Sequence, residues 1–337
     1  MIRLITPFVI IICAVSFLTA QENNSTIDWE FTPTIEFDGM FKSKFEYADR
    51  TNETRFSVRN SRLGIQGDVT PFISYRAMAE LSQEGEFKIL DLYSAIAPID
   101  GLSIKIGQIG TLIHTPYTSP DKVMFANMPF ICKYFTDGPR DIGVSASYNF
   151  KIDRLPVGIE AGLYNGGSIN NPVWTKKPSI STQLILGTMK GLRGTAKLYK
   201  FPKSDLLDFM IYATDLRYEA NSWKVETEFM YRKNKANDEK LASAYLQGAY
   251  WFPLQNTKVF KNIITAARWD AIGRNETDND IDVNRLTLGL GFSFTDAPFQ
   301  SLVRIDYEFY NTRDNIGIFI DDVMDSNKLS VELLLTF

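Results

Sequence analysis

From residue 33 to its end, the chain alternates apolar and polar side chains almost without pause. Ile35, Phe37, Phe41, Phe45 and Tyr47 are interleaved with Glu36, Asp38, Lys42, Lys44 and Glu46. The closing residues do the same: Leu329, Val331, Leu333, Leu335 and Phe337 share one parity, and Ser330, Glu332, Leu334 and Thr336 the other. A strand repeats every two residues, so each such stretch predicts a strand with one greasy and one mostly polar face. Roughly 16 segments of this kind follow one another. They fall near 33–47, 55–69, 72–82, 87–97, 102–110, 141–150, 156–164, 179–187, 192–200, 206–218, 223–232, 242–252, 260–271, 283–294, 300–310 and 328–337.

The connections sort by length. From the second strand onward, alternate junctions are short, as at Thr70-Pro71, 99–101, 151–154, 188–191, 219–222 and 295–298, with a slightly longer one near Pro253. Several of the others are long: 111–140, 165–178, 233–241, 272–282 and 311–327. Short turns at one rim and long loops at the other belong to membrane barrels, and an even strand count returns both ends of the sheet to the short-turn rim. The pattern predicts one all-β domain, a transmembrane antiparallel β-barrel of about 16 strands. A barrel that wide cannot fill its interior with side chains, so the apolar face is expected to meet lipid and the polar face water. Trp29, Tyr148, Tyr164, Trp223, Tyr250, Trp251, Tyr307 and Phe337 sit near strand ends, where interfacial belts lie.

Composition adds a compartment. Met1-Ile2-Arg3, an apolar run from Leu4 to Leu18 and Thr19-Ala20 before Gln21 read as a cleaved signal peptide over 1–20, leaving 21–337 as the barrel. The run is too short for a membrane helix, and no later stretch approaches the necessary ~20 apolar residues. Of the 2 cysteines, Cys13 leaves with the leader and Cys132 stands alone, so no internal disulfide is expected. Without Arg3 the chain carries 35 basic and 40 acidic side chains, a net charge of −5, which excludes nucleic acid as an expected partner.

Several short segments then gain meaning together. Phe56-Ser-Val-Arg-Asn-Ser-Arg-Leu-Gly-Ile-Gln-Gly67 resembles the early strand of the phosphate-selective porin O/P family. Leu90-Asp-Leu-Tyr93, Ile104-Lys-Ile-Gly-Gln108, Arg140-Asp-Ile-Gly-Val144, Leu163-Tyr-Asn-Gly166 and Ala244 to Tyr250 fit the same order. The resemblance implies a 16-stranded outer-membrane porin of a Gram-negative bacterium. It further implies trimers, anions such as phosphate among the solutes, and a third long loop folded into the lumen as a constriction. Here that loop is 111–138, with His114, Asp121, Lys122, Lys133 and Asp137 as its chemistry-bearing residues.

The expected pore wall departs from a phosphate-selective pattern because its charges are mixed. Inward bases are expected at Arg62, Arg76, Lys105, Arg193, Lys197, Arg217, Arg232, Arg268, Arg285 and Arg304. Inward acids are expected at Asp68, Glu80, Asp91, Glu160, Asp215, Glu226, Glu228, Asp270, Asp306 and Glu308. Rings of like charge select ions, and cancelling charges select little. Asp215/Arg217, Arg268/Asp270 and Arg304/Asp306 lie two apart on one strand face. They are read either as ladders shaping a transverse field or as structural ion pairs solvating the wall.

Catalytic and metal chemistry is thin. The single histidine, His114, lacks a companion nucleophile in sequence, and one His with one mature Cys cannot supply a zinc set. Asp278, Asp280 and Asp282 have the spacing of a calcium run but lack the Gly and distal Glu of an EF-hand loop; they are read as a solvated surface loop, with divalent bridging to lipopolysaccharide as the alternative. The expectation is therefore a non-enzymatic, cofactor-free porin for passive diffusion of small hydrophilic solutes or ions. Its partners would be outer-membrane lipid, lipopolysaccharide and the barrel-assembly machinery, which would read Phe337 as its signal. The rival reading is an occluded barrel whose long loops bind or adhere to a surface partner.

Overall fold

Backbone hydrogen bonds close the sheet on itself. In the computed structural model, Gly39 N donates to the Phe337 carbonyl at 2.9 Å and Phe337 N to that of Gly39 at 3.1 Å. This joins the last strand, β17 (Lys328–Thr336), to the first, β1 (Glu36–Ala48), in antiparallel register from Met40↔Thr336 to Ala48↔Lys328. The structure describes residues 31–58, 60–83, 85–111, 113, 122–135, 138–204, 206–255, 257–274, 281–313 and 326–337.

Between these two come β2 (Glu53–Ser57), β3 (Arg62–Thr70), β4 (Ile73–Gln83), β5 (Glu86–Ile96) and β6 (Leu102–Gly110). A one-turn helix, α1 (Ile131–Tyr134), precedes β7 (Arg140–Ile152), β8 (Leu155–Tyr164), β9 (Ser179–Gly187), β10 (Gly191–Pro202) and β11 (Asp208–Ala220). Then follow β12 (Trp223–Asn234), β13 (Lys240–Pro253), β14 (Asn262–Gly273), β15 (Val283–Ser293) and β16 (Leu302–Thr312). From β3 onward each strand pairs antiparallel with the next in the chain, and β1 takes β2, β3 and β17 as its partners.

The 17 ladder segments make 16 staves. The single strand expected over 55–69 is divided: β2 pairs with the far half of β1 (Lys44–Ala48) and β3 with its near half (Glu36–Met40). At the break Asn60 adopts a left-handed φ of 57°, a conformation Asn tolerates better than most residues. The Ser61 hydroxyl accepts from Lys42 N at 3.0 Å, so β1 loses no donor where its partner is interrupted.

Period two sorts the side chains. On β11, Phe209, Ile211, Ala213, Asp215 and Arg217 are buried inside, while Tyr212, Leu216 and Tyr218 are exposed outside. On β15, Leu286, Leu288 and Leu290 face outward, opposite Arg285, Thr287 and Gly289. Trp223 packs edge-on to Tyr250 (4.6 Å), and Tyr250 to Phe252 (4.5 Å), at the short-turn rim. Tyr164 and Trp251 differ from the expected belt positions: both point inward and are buried, because the interior holds apolar partners for them.

The seam depends on close approach. A Cβ on Gly39 would lie 2.6 Å from the Phe337 ring and 2.8 Å from the Arg62 carbonyl. Phe337 itself is 69% exposed on the outer surface. Replacing Gly39 with Val should therefore block closure, and Phe337→Ser should weaken it. Both variants should give less heat-modifiable folded barrel in gel-shift assays, with conductance unchanged in Phe337→Ser molecules that do fold; normal folded yields would contradict this account of the seam.

Candidate functional site

The inner wall from β12 around to β1 is not bare. Residues 122–135 climb it, and successive loop residues meet successive rows of wall side chains. Lowest, Lys224 Nζ donates to the Lys122 carbonyl (2.7 Å) and Arg304 to that of Val123 (3.0 Å). One row up, Ala126 N donates to Asp306 (2.7 Å). Next, Arg268 donates to the Asn127 carbonyl (2.8 Å), while the Asn127 amide donates to Glu308 (3.2 Å) and accepts from Lys44 (2.7 Å). Above it, Arg285 donates to the Met128 carbonyl (2.8 Å) and Asp270 accepts from Phe130 N (3.1 Å). At the long-loop rim, Arg232 donates to the Tyr134 carbonyl at 2.7 Å.

Most of these wall charges are held in ion pairs as well. Arg285 reaches Asp270 at 2.7 Å and Glu308 at 2.8 Å, and Arg268 reaches Asp270 at 3.6 Å. Arg304 pairs with Glu332 rather than with Asp306, its neighbour two residues on, and Lys42 joins Glu332 at 3.1 Å. Lys197 bridges Asp215 (2.9 Å) and Glu228 (2.8 Å), and Arg217 bridges Asp215 (3.4 Å) and Glu226 (2.9 Å). Arg268 and Arg285 also stack their guanidinium groups over Phe125 (4.7 Å) and Phe130 (4.6 Å) of the loop. Burial is nearly complete, at 2% exposure for Arg268 and 0% for Asp270 and Glu308. A buried pair of this kind contributes little net stability, but losing one partner costs about 3–5 kcal/mol.

Apolar packing completes the attachment. Ile113, Phe130, Ile131 and Phe135 sit in a cluster with Tyr199, Phe201, Phe209, Ile211, Met230 and Tyr245. The inner face here is thus apolar, where a polar face toward water was expected, because α1 covers it. Lower down, Met124 and Phe125 pack with Trp251, Ile264 and Phe299. Gly289 makes room for Phe125, since a Cβ there would come within 3.0 Å of the ring. Cys132 is partly buried in α1, and burial pushes its thiol well above the ordinary thiol range.

The opposite wall is wetter. Arg76 pairs with Asp38 (2.8 Å), which is 37% exposed, and Arg140 with Asp91 (2.7 Å). Arg62 pairs with Glu80 at 3.2 Å. Lys105 lies over the Tyr93 ring at 5.3 Å, Glu160 accepts from Gln183 at 2.9 Å, and Arg193 touches the Met189 sulfur at 3.2 Å. Lys105 and Glu160 are only half-buried.

Of the loop residues singled out in sequence, Lys122 offers only its carbonyl to the wall, and Lys133 is exposed, its ammonium 5.1 Å from the Tyr134 ring. His114, Asp121 and Asp137 lie outside the described residues, as do Asp278 and Asp280. Sequence reading overlooked Asn127, Lys224, Lys42, Lys44 and Arg140. The inward apolar row was legible only as a missing alternation: Leu206 to Ala213 is apolar on both parities except at Asp208, the signature of burial on both faces.

No protein-family model and no curated protein matches the sequence. Solved structures do. OmpF of Salmonella typhi aligns over 90% of this chain and 97% of its own, with a TM-score of 0.64 at 11% identity. An anion-selective porin from Comamonas acidovorans aligns over 91% and 100% (0.62, 13% identity). OmpT of Vibrio cholerae, in a trimer form, aligns over 91% and 100% (0.60, 10% identity). The chain has the fold of outer-membrane porin barrels.

Arg285→Ala takes from Asp270 and Glu308 their closest cation and from the loop one of its anchors. It should lower the unfolding free energy by about 3–5 kcal/mol, and should speed modification of Cys132 by thiol reagents at least about tenfold as the loop loosens, an opening free energy smaller by roughly 1.4 kcal/mol. Labelling at the parental rate would show that the wall charges do not hold the loop.

Proposed function

We propose that the protein is a porin of a Gram-negative outer membrane, a water-filled channel for passive diffusion of small hydrophilic solutes or ions. One observation carries this reading: a half-exposed polar surface, with Asp38 of β1, Arg76 of β4, Lys105 of β6 and Glu160 of β8 accessible, faces a loop fastened to the other side of the lumen. The loop narrows the passage to the β3–β8 side, and solutes pass between the two by size. Fixing the loop with buried charges keeps the aperture constant.

Selectivity follows from the charges left on the wet wall. Arg62, Arg76 and Arg140 are matched by Glu80, Asp38 and Asp91, Lys105 and the buried Arg193 stand against Glu160, and Glu36 and Asp68 add acid on the β1–β3 side. That mixture supports a weakly selective pore and not a phosphate-specific one, and the anionic sign proposed for it is taken from the description of the Comamonas barrel. The kinship with the O/P porins is taken at the level of architecture. Trimers are the proposed assembly, supported by the trimer form of the Vibrio barrel. No catalytic role is assigned, and a partly buried Cys132 whose thiol is held above the ordinary range is a poor nucleophile. The rival reading, an occluded barrel, draws on the apolar cluster around α1.

Planar-bilayer recording separates the two. Ohmic single-channel steps are expected, with a small anion-selective reversal potential in a salt gradient. Lys105→Glu with Arg193→Glu should reverse its sign, and well-folded protein that stays silent would select the occluded barrel.

A further inference from the structure

The outer faces of β10 to β13 are uncharged over nearly their whole height, with Leu198, Tyr212, Leu216, Phe229, Tyr231 and Leu246 among their outward residues. The pattern breaks at one level near the long-loop rim. Lys200 is in register with Met210, Met210 with Lys233, and Lys233 with Lys240. Their chain neighbours Tyr199, Phe201, Arg232, Asn234 and Leu241 are buried inside, so the three lysines point out of the barrel. Adjacent strands lie about 4.8 Å apart, which puts Lys233 and Lys240 at direct cross-strand distance and Lys200 about 10 Å away. Like charges opposed in this way destabilise a sheet unless an anion lies between them.

The described acids nearby are Asp238, which pairs with Lys233 at 2.7 Å and lies within electrostatic reach of Lys240, Glu239, which is taken up by Arg232 at 2.9 Å, and Asp208 at the head of β11. The Lys233–Asp238 pair is largely exposed (40% and 79%) and so contributes little. Loop lysines Lys203 and Lys235 add to the basic side. Among the described residues the row keeps an excess of positive charge where the apolar surface ends.

Immediately below the Lys233–Lys240 pair, the outer surface is hollow. A groove of about 270 Å³ runs between Tyr231 and Trp269 over a floor of Ala242, Ala244, Ala271 and Gly273. Past Trp269 a second apolar hollow, of about 610 Å³, continues over Gly248 and Ala267 toward the short-turn rim. Cationic groups above linear apolar grooves match an amphiphile with an anionic head and hydrocarbon tails. We propose that this sector docks a phosphorylated, multiply acylated glycolipid of the outer leaflet, lipopolysaccharide by class, with its phosphates on Lys200, Lys233 and Lys240 and acyl chains in the grooves. The proposal rests on the outer-membrane placement above, with the long-loop rim facing outward. A free phosphate ion would use the lysines but leave the grooves without purpose.

The test uses the refolded full-length barrel in uncharged detergent and measures its binding of a bisphosphorylated acylated glucosamine disaccharide, the same lipid without phosphates, and inorganic phosphate. The bisphosphorylated form should bind tighter than the dephosphorylated one by on the order of a hundredfold, and K200Q/K233Q/K240Q should abolish the difference. Asp238→Asn, which removes a competing acid without touching the lysines, should strengthen binding several-fold; Ala244→Phe, which fills the upper groove, should weaken it. Equal affinity for both lipids, an unaffected triple variant that migrates as folded barrel, or displacement of the lipid by millimolar phosphate would each overturn the proposal. Channel recording on the same triple variant keeps the two readings apart: conductance with lipid binding lost leaves the porin standing, and lipid binding by a silent wild-type barrel leaves only the docking site.

Discussion

Everything in this molecule follows from the need to pair each backbone N–H and C=O away from water. In hydrocarbon an open sheet edge costs several kcal/mol for each unpaired group, so a strand-built membrane protein has to close. Closure occurs between β1 and β17, where Gly39 and Phe337 exchange hydrogen bonds and the lack of a side chain at Gly39 leaves room for the Phe337 ring at the seam. The same requirement explains the split stave: where β2 and β3 part, Ser61 supplies the bond that Lys42 N would otherwise lack.

A closed cylinder of this size raises a second problem, a lumen too wide for side chains to fill. The chain answers with a loop that has little regular structure of its own beyond the single turn of α1. Its carbonyls and amides are therefore unpaired within the loop, and the wall supplies partners for many of them. Arg304, Arg268 and Arg285 each cap a carbonyl, and Asp306 and Asp270 each take an N–H. Arginine suits this role, because its fork serves a carbonyl and a carboxylate together while its face stacks on Phe125 or Phe130. Charge that looks like pore lining in sequence is, on this side, internal scaffolding.

The consequence is an asymmetric interior. Between β12 and β17 the charges are buried against one another and against the loop, and on the opposite side Asp38 of β1, Arg76, Lys105 and Glu160 stay within reach of water. The wall charges near the loop hold it in position, and those opposite it line the more open side of the lumen. The outer surface is divided too, with a neutral band for lipid and a lysine row at its upper boundary on β10–β13.

The alternation of side chains determined the architecture by itself. Strand period, loop rhythm and the closing row Leu329 to Phe337 are local properties, because the pleat repeats every two residues whatever the neighbours are. The inward parity of Arg268, Asp270, Arg285 and Glu308 was legible for the same reason. What they face was not. Whether an inward arginine meets water or a carbonyl depends on where residues 122–135 lie, and their attachment joins positions more than a hundred residues apart, such as Arg285 and Met128. Likewise Lys200, Lys233 and Lys240 are unremarkable in sequence and become a row only through the register of three hairpins. Periodicity assigns each residue to a face; only tertiary packing decides what that face touches.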